Sequence, residues 1–183
     1  QYWKNKYLRR NNGIKFLKLH GSLDWHWFDF YKHKVIYKQK IGKINKKLDD
    51  FPKVFDDGIC QISAKGTPLF LTGINDKYLD YNYGIFLDMM DNFYRLLNKT
   101  KYLIIIGYGF GDNAINLRII DWFDKNKYRK IIVVSPNMET VIQNARGGIS
   151  RRLKELENDK NRLIIIKKRF EDTNSQEIIQ NLR

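Results

Sequence analysis

The chain has 183 residues, 43% hydrophobic and 14% aromatic, and a formal net charge of +14; this is enough apolar sequence for one domain with a sizeable core. Its single cysteine, Cys60, excludes an internal disulfide and a four-cysteine zinc site and points to a reducing, cytoplasmic setting. No run of eighteen apolar residues occurs and no hydrophobic core follows QYWKNKYLRR, so neither a membrane span nor a secretory leader is expected.

In chain order, the apolar run IKFLKL at 14–19 predicts a first buried strand. Residues 25–83 differ from the rest. Alternating aromatic stretches (WHWFDF, KVIYKQ), turn residues and an acidic cluster at 49–57 predict a small inserted module or a long irregular crossover. Within it Trp25 and Trp27 read as aromatic packing, and His26 and His33 as structural residues. Phe86, Met89, Phe93 and Leu97 share one face of a predicted helix. Then come YLIII at 102–106, a helix with Ile115, Ile119 and Trp122 on one face, IIVVS at 131–135, a helical stretch at 138–157 broken at Gly147 and Gly148, and RLIII at 162–166. Strand and helix in alternation, with strands apolar on both faces, predict an α/β fold with a Rossmann-like parallel sheet and helices on both faces. The basic residues are dispersed among Ile, Asn and Tyr. Their densest runs, 38–47 and 151–154, read as a solvated loop or hairpin and an exposed helix face rather than as a nucleic-acid patch.

In a parallel sheet, ligands sit beyond the carboxyl ends of the strands. Three predicted strand ends carry unusual residues: His20-Gly21-Ser22, Gly107-Tyr108-Gly109-Phe110-Gly111-Asp112, and Ser135-Pro136-Asn137. In IIIGYGFGDNAIN the chain leaves a buried strand and enters a helix within a few residues. Such a turn lets the backbone approach a phosphate or ribose near free helix amides. The spacing is G-x-G-x-G rather than G-x-G-x-x-G, and 125–130 is basic where a ribose-binding acid would stand, which disfavours an ordinary dehydrogenase. Equally, the stretch reads as a tight connection with Asp112 as helix N-cap. Asn116, one turn into the helix, faces either the site or a neighbouring subunit.

LHGS at 19–22, GYGFGD at 107–112, VSPN at 134–137 and PLFLTG at 68–73 together resemble the sirtuin-like (silent information regulator 2-like) domains, in particular their zinc-less bacterial branch. The resemblance covers most of 14–170. It implies that His20 is the catalytic base, that Gly21, Ser22, Gly107, Tyr108, Gly109, Phe110, Asp112, Ser135, Pro136 and Asn137 contact NAD, and that NAD is a substrate. With only Cys60 in place of the paired cysteines of sirtuin deacylases, no zinc is expected, and the resemblance favours an NAD glycohydrolase of the anti-phage defence type over a protein deacylase. Loss of nicotinamide needs a dry pocket and a base, and imidazole, which changes charge near neutral pH, suits that task. The family's G-A-G-x-S loop and its ribose-side asparagine have no counterpart in 1–19. By resemblance, then, the N-terminal part of the domain is missing, and the chain is expected to associate with that part or as a homo-oligomer. A basic nucleic-acid-binding module and a catalytically silent scaffold are the readings of another class.

Overall fold

The computed structural model describes residues 14–44, 53–55, 58–63, 68–71 and 84–182. The chain divides into two compact units, Gln1–Phe93 and Tyr94–Arg183.

The first unit contains a four-stranded antiparallel sheet in the order β2-β1-β4-β3, formed by β1 (Trp25–Lys32), β2 (Val35–Lys43), β3 (Lys53–Phe55) and β4 (Gly58–Ile62). β1 and β2 make a hairpin whose turn residues, His33 and Lys34, both have positive φ; that is the backbone hand that suits a two-residue connection between right-twisted strands. Alternation along β1 buries His26 and Phe28, and Asp29 is buried where Gln39 Nε2 donates to its Oδ1 at 2.7 Å. The described strands between 25 and 62 therefore form a small sheet of their own. Of the acidic cluster at 49–57 only 53–55 are described, and residues 72–73 of PLFLTG lie outside the described residues.

One expected strand is not formed. Residues 14–18 carry no strand, Leu19 and His20 form a turn, and Gly21 makes an isolated antiparallel bridge with Phe70. Ile14 is fully exposed and Phe16 is 78% exposed. An apolar run becomes a strand only where a neighbouring strand takes up its backbone groups, and among the described residues none pairs with 14–18.

Helix α1 (Gly84–Leu97) begins in the first unit and ends in the second, with Ile85, Met89, Met90, Asn92 and Leu97 buried. Met89 and Leu97 are among the residues expected on its inner face; Phe86 and Phe93 are half-buried.

The second unit is a parallel α/β layer: β5 (Tyr102–Ile106), α2 (Asn113–Asp124), β6 (Lys130–Val134), α3 (Met138–Asn144), α4 (Gly148–Leu156), β7 (Leu163–Ile166) and α5 (Ser175–Gln180). Its three strands run in the order β5-β6-β7, in register Ile104–Ile132–Ile164 and Ile106–Val134–Ile166. The central strand is buried from Ile131 to Val134. Ile132 and Val134 pack with Ile166, Ile164 and, from the C-terminal helical segment, Ile178 and Leu182, while Ile131 and Val133 point to the other face, so helices cover both sides. Each such fully buried side chain contributes about 1.5–3 kcal/mol.

Helix α2 buries Ile115, Asn116, Ile119, Trp122 and Phe123. Two arginines close its far end: Arg129 Nη1 donates to the Trp122 carbonyl, and Arg162 Nη2 donates to that of Phe123 at 2.8 Å while lying over the Phe123 ring. Guanidinium groups there satisfy carbonyls that a helix end leaves without partners. In the basic run at 151–154, Arg152 pairs with Asp124 at 2.6 Å and Glu155 at 3.1 Å. Among the described residues no helix is long and apolar enough to cross a membrane.

Candidate functional site

The second unit carries a cleft at the carboxyl ends of its parallel strands. At the end of β5 the chain turns on Gly107, whose φ of +68° lies in the left-handed region. Gly109 and Gly111 do not use that region. The other left-handed residue is Phe110, at φ +53°. A non-glycine residue there costs about 1–2 kcal/mol, and the ring offsets it: Phe110 is fully buried and its centroid lies 5.1 Å from that of Tyr108. Burial of a Phe side chain contributes about 1.5–3 kcal/mol, so the strained turn is held by its own aromatic anchor.

Asp112 then caps α2, its Oδ1 accepting from the Ala114 and Ile115 amides at 3.0 and 3.1 Å. The helix therefore starts immediately after the loop, with the Asp112 carboxylate engaging its first free amides. The Tyr108 hydroxyl donates to Asn116 Oδ1 at 2.9 Å and lies 3.1 Å from the Asp112 carbonyl. Burial, reinforced by the nearby Asp112 carboxylate, raises its pKa above the ordinary phenol value, so Tyr108 stays a neutral hydroxyl at physiological pH.

Beside this loop, β6 runs into Ser135, whose amide donates to the Ile166 carbonyl at 3.1 Å, then Pro136 and Asn137. Asn137 caps α3, accepting from the Thr140 amide at 3.1 Å. Beyond β7, residues Lys168–Glu171 come round to the same place. Together these strand ends enclose a cleft of about 440 Å³ lined by Ile106, Gly107, Tyr108, Gly109, Val134, Ser135, Pro136, Val141, Lys168, Arg169, Phe170 and Glu171. That volume is in the range of small-molecule sites. Its rim is charged and aromatic: Lys168 bonds Glu177 at 2.9 Å, Arg169 and Glu171 approach only to 3.8 Å, and Phe170 is 60% exposed.

The structure thus gathers Gly107, Tyr108, Gly109, Ser135 and Pro136 around one cleft. Phe110, Asp112 and Asn137 support it from behind: Phe110 is buried, and the carboxylate and amide oxygens of the other two are engaged as caps. Lys168–Glu171 are lining residues that the motifs did not mark, although their position after a parallel strand is a signal of the same kind as the other two.

His20, Gly21 and Ser22 belong to the first unit and do not follow a parallel strand. They lie in a turn held by backbone bonds: Gly21 N–H to the Lys18 carbonyl at 2.9 Å, Ser22 N–H to Leu69 at 2.9 Å, and Leu71 N–H to His20 at 2.8 Å. The Ser22 hydroxyl accepts from Lys18 Nζ at 2.5 Å. Ser22, with Lys43 and Lys18, holds the Asp24 carboxyl below the ordinary carboxylate range against a smaller opposing effect of burial. Among the described residues no group of three or more His, Cys, Asp or Glu side chains is placed to hold a metal ion. Compared with protein-family models and with curated proteins, the chain matches none.

Proposed function

We propose that this chain is the nucleotide-binding portion of a sirtuin-like NAD-consuming domain, acting as an NAD glycohydrolase that releases nicotinamide. The observation that carries the reading is the cleft at the carboxyl ends of β5 and β6, lined by Gly107–Gly109 and Ser135–Pro136. Open backbone at the end of a parallel strand suits the approach of ribose oxygens, and the exposed Phe170 ring on the rim suits stacking with a purine ring. In this reading His20 is the base that takes a proton from a ribose hydroxyl or an attacking water, as the LHGS resemblance implies. Ser22, tied to Lys18 and Asp24, shapes the turn that carries it. No metal is required, because the positive nicotinamide ring leaves as a neutral molecule.

A second reading, nucleotide binding without turnover, is favoured by one fact: every residue lining the cleft lies in the second unit, whereas His20 lies in the first.

Gly109 tests the reading. A Cβ added there meets nothing within 4 Å, and its backbone is not left-handed, so Gly109→Val should fold like the wild type. The valine would stand in the cleft. We expect the KM for NAD in a nicotinamide-release assay on the full-length protein to rise about tenfold or more, with Tm nearly unchanged. An unchanged KM would mean that the cleft is not the NAD site.

A further inference from the structure

A buried residue that does not line the cleft is bonded to the glycine loop at two points. Asn116 is completely buried on the inner face of α2. Its side-chain amide is used on both sides: Nδ2 donates to the Phe110 carbonyl at 2.8 Å and to the Arg146 carbonyl at 2.9 Å, and Oδ1 accepts from the Tyr108 hydroxyl at 2.9 Å. The orientation is determined by these partners, since only the NH2 end can serve two carbonyls and only the oxygen can receive a hydroxyl that donates to it. The Arg146 amide closes the same knot by donating to the Phe110 carbonyl at 2.9 Å. One side chain thus joins a cleft wall (Tyr108), the strained left-handed residue (Phe110) and the segment between α3 and α4 (Arg146).

We propose that Asn116 is the positioning residue of the nucleotide cleft: it holds Tyr108 against the wall and Phe110 in its left-handed turn, so that the Gly107–Gly109 backbone is already open when the ligand arrives. This rests on the nucleotide-binding reading above and adds the residue that preorganises the site. Preorganisation raises affinity by removing the ordering cost at binding. A residue needed only for stability would change the folded fraction and leave the affinity of the folded protein unaltered.

The test is Asn116→Asp, which keeps size and the acceptor for Tyr108 but loses both donations. In calorimetry with ADP-ribose at matched folded fraction, its dissociation constant should rise about tenfold. Amides of 107–112 and of Arg146 should exchange with solvent faster than in the wild type, while those of β6 keep their protection. Wild-type affinity in a folded Asn116→Asp protein would overturn the proposal. Should that variant fail to fold, Tyr108→Phe removes the hydroxyl, with its contacts to Asn116 and to the Asp112 carbonyl, and leaves the ring. A severalfold weaker affinity together with faster amide exchange at Phe110 and Arg146 then supports the proposal, and an unchanged affinity overturns it. If the wild type itself binds no ADP-ribose, the nucleotide reading fails and exchange decides the latch: unchanged rates at 107–112 in Asn116→Asp, or in Tyr108→Phe where Asp does not fold, reject it.

Discussion

His20→Ala is expected to lower nicotinamide release by the full-length protein about 100-fold or more while the fold persists. One bond of the turn, from the Leu71 amide to the backbone carbonyl of residue 20 at 2.8 Å, is retained in alanine. Catalysis should suffer because general-base assistance by a positioned imidazole is typically worth a factor of 100 to 10,000. NAD affinity should change little, since no lining residue of the cleft is touched. Full turnover in the variant would remove His20 from the mechanism. Lost turnover with equally lost NAD binding would make it a binding residue instead.

Gly21→Ala should instead damage the fold. Gly21 has φ +79°, and a Cβ built on it would stand 2.0 Å from the Leu69 carbonyl oxygen and 2.9 Å from Phe86 Cε1. The left-handed backbone alone costs about 1–2 kcal/mol, and backbone must move to relieve the overlap, which adds about 1–3 kcal/mol. We expect a loss of roughly 2–5 kcal/mol, read as a fall in Tm of roughly 4–20 °C. The glycine of LHGS is then required by the close approach of residues 69–70 to the turn whether or not NAD touches it. A variant as stable as the wild type would mean that this approach is not part of the folded protein.

These two neighbours show where the residues were informative and where they were not. β5, β6 and β7 were legible because Ile and Val runs of four or five residues separated by amphipathic helices have few other solutions, and the Gly147–Gly148 break and the Asp112 cap follow from local chemistry. IKFLKL at 14–19 carries the same local signal, yet Ile14 and Phe16 stand exposed, since pairing is decided by chain far from the run. The cleft was legible in part. Glycines and a cap mark Gly107–Asp112, and Ser135–Pro136 follow an evident strand. Lys168–Glu171 lie in the charged stretch KKRFED, which looks like surface until β7 is seen to deliver it to the same end of the sheet. Asn116 was legible only as a polar residue near a helix start; its role depends on the Arg146 carbonyl, thirty positions away.

The most direct test of the central claim is an NMR titration of the chain with NAD, following backbone amides by position. The account predicts shifts, at whatever concentration saturates the site, that begin at Gly107, Tyr108 and Gly109, include Ser135, and extend to Lys168–Glu171. Shifts confined to residues 14–71, or no shift in the cleft at millimolar NAD, would contradict it.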